Sequence, residues 1–398
     1  PHSWMDIQDW ADVIDERTEA DPRPMPGALL KFCEPHETLR QGFERRIQET
    51  AGYVFDPSPS ISAALRITQT DVPVPPEVLA AFKTLRRWRT PDGEEIVDGK
   101  ELARHAKELV SGFYYRWVWA ADFPLEKQKA WLYARKFWKK YARRIHKREY
   151  VKGLDGDAGV QGRYFDTEWQ VMTACKSGFL KPWIEDDQNG RVFNPYEEWL
   201  AVKDTADPET EAVWISEYML DFVEKWLKTP QSIAWIEHTC FLERLRERGV
   251  LCFGGAEEGI VDESLSKTPR SCALSLKAHG TGKNLQGDKE LDAPGYRRAL
   301  FLAVPGSGEI TEQTIGRIHR EGQQADEVEC EFPLSCIEMW KLFMSAVQDA
   351  KNVYREGQGD RQKLIYADVD VMSEEEVQEL TGPLWDTSVP KDETETKT

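Results

Sequence analysis

Residues 313–323 run Gln-Thr-Ile-Gly-Arg-Ile-His-Arg-Glu-Gly-Gln. Arg317 and Arg320 lie three apart, so a helix through both would project them from one face. Arginine stays charged and offers a planar fork of donors that matches phosphate oxygens. Two such groups together can hold positive charge where a transferring phosphoryl group gathers negative charge, the role of an arginine finger. The alternative for these residues is a basic surface helix.

Around this stretch the chain has an α/β texture. Ser232–Ile236, Val250–Phe253, Ser271–Leu276, Ala299–Val304 and Val328–Phe332 are short apolar runs with the length of buried strands. Helical segments alternate with them, beginning with Thr239–Arg248. This alternation predicts an α/β lobe around a mostly parallel sheet. From Pro76 to Leu227 the pattern is mostly helical, broken at Pro91-Asp-Gly93, Leu154-Asp-Gly156 and Pro182. Nearer the start, a helix is expected over Met5–Glu16, and residues 52–69 are strand-like at both ends with a Pro/Ser turn between. From Ser373 a short helix is expected to lead into an acidic, solvated tail.

A second motif follows the Ser271–Leu276 strand: Ala278-His-Gly-Thr-Gly-Lys-Asn-Leu-Gln286. Gly282-Lys283 invites comparison with a phosphate-binding P-loop, but the pattern needs glycine at 277, which is Lys277, and Ser or Thr at 284, which is Asn284. What remains is a strand-to-helix turn with exposed backbone N–H groups and the polar side chains of Thr281, Lys283, Asn284 and Gln286. Such groups suit a nucleic-acid backbone or the edge of a nucleotide site. A glycine turn without a ligand is the alternative.

The spacing Q-x-x-G-R-x-H-R-x-G-Q over Gln313–Gln323 resembles motif VI of superfamily-2 helicases, and most closely that of their Swi/Snf-like translocase branch. Ala278–Gln286 is similar to motif V of the same enzymes, whose Swi/Snf-like form ends in Gly-x-Asn-Leu-Gln. Ile233-Ala-Trp-Ile-Glu-His-Thr-Cys-Phe-Leu-Glu-Arg-Leu245 resembles the motif IV strand and helix that open the second lobe. The resemblance implies a RecA-like parallel-sheet lobe over residues 211–370, preceded by a mostly helical inter-lobe region. That region comprises a 1–75 N-terminal segment and a 76–210 helical protrusion; residues 371–398 are the acidic tail.

It further implies that Arg317 and Arg320 act as fingers on the γ-phosphate, and that Gln313, Gly316 and Gly282 lie near the nucleotide. Gly280, Thr281, Lys283, Asn284 and Gln286 would touch nucleic acid, with double-stranded DNA the expected partner. The family's first lobe carries the P-loop lysine and an Asp-Glu metal-binding motif. This sequence has no Gly-Lys-Ser/Thr, and its Asp-Glu pairs follow no convincing buried strand. ATP and Mg2+ are therefore expected to be held mainly by a first lobe supplied in cis or in trans, with this chain inactive alone. Pro1 fits either a removed initiator Met or a cut from a longer chain. The competing expectation is a non-catalytic nucleic-acid-binding or adaptor protein that keeps a helicase-lobe fold.

Bulk composition sets limits. The 398 residues suffice for two or three domains. No apolar run approaches the roughly 18 residues of a membrane span. No secretory leader opens the sequence. Seven cysteines without C-x-x-C pairs suit reduced thiols. A cytoplasmic or nucleoid-associated protein is expected, with no metal-ligand cluster and so no metal-dependent nuclease. Net charge is −18, but the acid concentrates in Glu185–Asp187, Glu197–Glu224 and the tail. Lys127–Arg148 holds ten lysines and arginines and no acid. Trp131, Ala134, Trp138, Tyr141 and Ile145 form an apolar helical stripe there. Arg135, Lys136, Lys139, Lys140, Arg143 and Arg144 fall off that stripe and are candidates for phosphate contacts. The alternative is a solvated face balancing acidic segments nearby.

Overall fold

The computed structural model describes residues 33–38, 41–42, 45–46, 49, 61–96, 99–146, 165, 167–186, 191–255, 259–356 and 362–382. The helix expected over Met5–Glu16, the turn after residue 52 and the tail beyond 382 lie outside them. The chain divides into two compact units. One comprises residues up to Val72 with Phe222–Ser335 and Met339–Val377; the other comprises Pro73–Asp221, Cys336–Glu338 and residues from Gln378.

The first unit is built on a seven-stranded sheet. Its strands are β1 (Ala64–Gln69), β6 (Ser232–Ile236), β7 (Cys252–Phe253), β8 (Cys272–Ser275), β9 (Arg298–Phe301), β10 (Glu327–Phe332) and β11 (Asp368–Asp370). The order is β11-β1-β10-β9-β6-β8-β7, and every pairing is parallel. The α/β class expected from the alternating pattern is the one observed. All five residues of β6 are buried, as a central strand covered on both faces requires. The helix Thr239–Glu247 buries Phe241, Leu242 and Leu245 along one side. Phe301 of β9 stacks on Phe332 of β10 with ring centroids 4.6 Å apart. Arg298 donates to Glu329 at 2.9 Å and also pairs with Glu331, whose carboxylate accepts from Trp226 Nε1 at 2.9 Å.

The place of β1 is not evident from local pattern. It pairs with β10, residue Leu65 opposite Val328, and on its other side with β11. The chain thus contributes one inner strand, builds the second unit, and returns at Phe222 to complete the sheet.

The second unit adds short strands to its helices. It contains β2 (Phe113–Val118) paired antiparallel with β5 (Glu209–Trp214), and a short hairpin of β3 (Ile184–Asp186) with β4 (Arg191–Phe193). The aromatic and β-branched residues of Phe-Tyr-Tyr-Arg-Trp-Val favour a strand, but its partner is distant in sequence. Because β5 belongs to this pairing, the compact unit extends to Asp221, past the 210/211 boundary drawn from sequence. The long helix Leu125–His146 forms where the basic stretch placed it. Its stripe of Trp131, Ala134, Trp138, Tyr141 and Ile145 is buried, with Trp138 and Tyr141 packed in one cluster with Val171, Cys175 and Leu180.

Candidate functional site

The helix that leads into the arginine pair spans Gly308–Ile315, with Ser307 as N-cap accepting from Ile310 N–H at 3.2 Å. It stops at Gly316, the C-cap. Arg317 and Arg320 therefore do not share a helical face. They lie in the turn that follows, where Arg317 N–H bonds to the Thr314 carbonyl and His319 N–H to that of Ile315. The Arg317 carbonyl accepts instead from Leu285 N–H at 2.9 Å, a cross-loop bond that a continuing helix would not leave available.

That bond draws the two motifs together. Arg317 Nε donates to the Gln313 carbonyl at 2.9 Å and its Nη1 to the Lys283 carbonyl at 3.0 Å. Arg320 Nη1 donates to Asn284 Oδ1 at 2.6 Å. Arg317 is half-buried and Arg320 exposed. The two arginines thus differ in kind: Arg317 braces the 283–285 backbone, whereas Arg320 points a largely uncommitted fork at solvent. Their hydrogen-bond partners are all neutral oxygens, and neither makes an ion pair among the described residues. Burial, and then the charge of Arg320, holds the Arg317 guanidinium below its ordinary pKa.

The other motif residues take distinct places. Gln313 is half-buried and donates from Nε2 to Glu309 at 2.9 Å. Thr281, Gly282 and Asn284 are exposed, and Lys283 and Gln286 half-buried. Gln286 Oε1 is itself buried and accepts no hydrogen bond among the described residues. Gly280 has Leu276 O only 2.5 Å from where a Cβ would stand, so no larger residue fits there without movement. The loop is closed beyond Gln286 by Gly287 and Gly295, whose φ values are +89° and +65°; a Cβ on Gly295 would meet Gln286 C and Gly287 N at 2.2 Å. Glu237 and His238 follow the carboxyl end of β6. The arginine cluster, by contrast, lies at the amino ends of strands: His319 Nε2 donates to the carbonyl of Ala63, just before β1, at 2.9 Å. Gln323 Nε2 donates to the Tyr296 carbonyl ahead of β9.

The basic helix of the second unit looks different in three dimensions from its linear pattern. Lys136 and Lys140 both pair with Glu95, Lys139 pairs with Glu101, and Arg135 lies 3.7 Å from Glu101. Arg135 also lies over Trp117, 5.2 Å from the ring centroid. Burial would push the Glu95 carboxyl up, but hydrogen bonds from Lys136 and Lys140 outweigh it and hold it low. Arg143 lies over Trp88 at 5.6 Å, and Arg144 is exposed. Four of the six candidate cations are therefore matched to carboxylates of their own unit, carboxylates that the acid-free window Lys127–Arg148 did not reveal.

Two contributors carried no sequence signal. Glu312 and Lys363 flank the arginine turn, and the Glu312 carboxylate accepts from the backbone N–H groups of Lys363 and Leu364, both at 2.7 Å. Nothing in the run Arg-Gln-Lys-Leu marks Lys363. Among the described residues no three His, Cys, Asp or Glu side chains come together as metal ligands, and no helix is long and apolar enough to cross a membrane.

No family model matches this chain, and no curated protein matches it either. Among solved structures it is similar to the C-terminal part of the Fun30 ATPase domain, at 15% identity and a TM-score of 0.33, over 81% of this chain and 99% of that one. A chain in the crystal structure of the E. coli DEAD-box protein SrmB bound to regulator of ribonuclease activity A is also similar. There the identity is 17% and the TM-score 0.21, over 40% of this chain and 85% of that one. At these scores neither structure adds to what the chain's own parallel sheet shows.

Proposed function

We propose that the sheet unit is the second, RecA-like lobe of an ATP-dependent superfamily-2 helicase or translocase of the Swi/Snf-like branch, acting on double-stranded DNA. One observation carries this proposal. Two motifs separate in sequence meet so that Arg317 and Arg320 stand together with only neutral oxygens as hydrogen-bond partners. Two guanidinium groups held without a carboxylate make a site for an anion, and their planar donors fit phosphate.

In this mechanism Arg320 reaches the terminal phosphate and offsets the charge that develops on it, while Arg317 holds the loop that carries Lys283 and Asn284. The exposed Thr281 and Asn284 and the half-buried Lys283 and Gln286 contact the DNA backbone. Asn284, bonded to Arg320, couples that contact to the nucleotide. ATP and Mg2+ are held by a first lobe carrying the P-loop lysine that these 398 residues lack.

The test is hydrolysis and binding by the purified chain. ATP turnover, with or without duplex DNA, should stay at background; robust DNA-stimulated turnover would overturn the division of labour between two lobes. In 31P titrations ATP should bind weakly, and Arg320→Ala should weaken it by at least tenfold, the loss of one charge-assisted contact. In an assembly with a P-loop lobe, Arg320→Ala should lower turnover by about 10³-fold or more.

A further inference from the structure

Beside the arginine turn lies a third cation. Lys363 opens the short helix Lys363–Tyr366, whose N-cap, Gln362, makes no side-chain capping bond. Glu312 of the helix Gly308–Ile315 supplies the missing acceptor, taking the N–H groups of Lys363 and Leu364 on its carboxylate. The lysine stem then lies across Gly316: its Cε is 3.5 Å from the point a Cβ on Gly316 would occupy. A Cβ at 316 would touch that stem at ordinary van der Waals distance and would meet the carbonyls of Glu312 and Gln313 more tightly, at 3.2–3.3 Å.

The Lys363 ammonium has no ion pair and no hydrogen bond among the described residues. The Glu312 carboxylate acts on it favourably, and that carboxylate is already engaged by two backbone amides. Burial depresses the Lys363 pKa, and the Arg320 charge adds to the depression. The same Arg320 charge acts on Arg317, and the Lys363 charge acts on His319. Arg320 therefore lies within electrostatic range of both Arg317 and Lys363, while the Lys363 stem lies against Gly316, next to Arg317, held there by the Glu312 carboxylate. Clustered like charges raise the free energy of the empty site, and a polyanion relieves it.

We propose that Arg317, Arg320 and Lys363 form one three-cation site for a phosphate oxyanion, with Glu312 as the positioning residue that sets Lys363 in it. The proposal rests on the anion site proposed above at the arginine pair, in which Arg320 reaches the phosphate and Arg317 adds its charge while bracing the 283–285 loop, and adds to it a residue from outside both motifs. The oxyanion is either the terminal phosphate of a nucleotide or a phosphodiester of DNA.

The test uses the 398-residue protein with tripolyphosphate as probe, followed by calorimetry. Lys363→Met keeps the apolar stem over Gly316 and removes only the charge; it should raise Kd about tenfold. Lys363→Arg should stay within about threefold of the parent. With 13Cε-labelled lysine, the resonance missing from the Lys363→Met protein should be among those that shift on titration, which a purely structural lysine would not do. Parent-like binding by Lys363→Met, with Arg317→Ala and Arg320→Ala both weakened, overturns the role of Lys363 and leaves the arginine site standing. Binding unchanged in all three variants overturns the arginine site as well. Repeating the titrations with ATP and with a short duplex assigns the source. A Lys363→Met defect confined to ATP supports the nucleotide, one confined to the duplex supports the phosphodiester, and a defect in neither overturns the proposal.

Discussion

Arg317→Met tests the bracing role of the Arg317 side chain. The substitution keeps an unbranched stem of similar length and deletes the donors to the Gln313 and Lys283 carbonyls, at 2.9 and 3.0 Å. A fully buried hydrogen bond from a charged donor contributes about 1.5–3 kcal/mol. Arg317 is half-buried and its solvated alternative is good, so about 1–1.5 kcal/mol per bond is appropriate, or about 2–3 kcal/mol for the two. Only the Lys283 bond, about 1–1.5 kcal/mol, holds the 283–285 segment, since the Gln313 bond lies within the arginine's own turn, and the sheet's own ladders are untouched. Amide hydrogen exchange reads it directly. The Leu285 N–H bonds to the Arg317 carbonyl at 2.9 Å and Leu285 is fully buried. Its exchange requires local opening of this loop, and a loss of about 1–1.5 kcal/mol should speed it about 5- to 13-fold. The amide of Trp235, in central strand β6, should keep the parent rate. Arg317→Lys, with a single point charge that reaches one carbonyl, should fall between the two. Unchanged exchange at Leu285 in Arg317→Met would refute the bracing role and return Arg317 to the position of a second free finger.

Two other perturbations test the frame. Burial holds the His319 imidazole below its ordinary pKa of 6.5, so above that pH its contribution to stability is complete. As pH falls below 6.5 the unfolded chain takes up the proton first and the sheet unit loses stability; the urea midpoint should fall there, and less steeply in His319→Gln. A His319 ring titrating at or above 6.5 by NMR would refute this. In the second unit, Arg86 and Glu338 form a buried bidentate pair, 2.7 and 3.1 Å, with side chains 6% and 5% exposed. Glu338→Ala, which strands the guanidinium, should cost about 3–5 kcal/mol in thermal unfolding, whereas Arg86→Met with Glu338→Leu should recover most of it. Equal losses in the single and double variants would count against the pair.

The strand runs of the lobe were legible because a central parallel strand is buried on both faces and shows as a continuous apolar run; Ser232–Ile236 forms β6 with those bounds. The aromatic stripe of the basic helix was legible for a similar reason, since helical periodicity is a local property. The motif spacing marked Arg317, Arg320, Lys283 and Asn284 as a set. Local pattern failed where the partner is remote. β1 joins β10 across the whole second unit, and β2 finds β5 across most of it. The carboxylates of Glu95 and Glu101 neutralise cations that the sequence presented as a bare basic face.

The sequence alone determined which residue types the site contains and that a parallel α/β sheet carries them, because both follow from spacing and from alternation of apolar runs. Only the tertiary structure decided how those residues divide their work. Gly316 ends the helix, so Arg317 turns inward onto a neighbouring loop and Arg320 outward to solvent. Folding also brings Lys363, unmarked by any motif, beside them through two amide bonds to Glu312. Hydrogen bonds between distant segments form in three dimensions, and their energetics depend on burial that no linear pattern records.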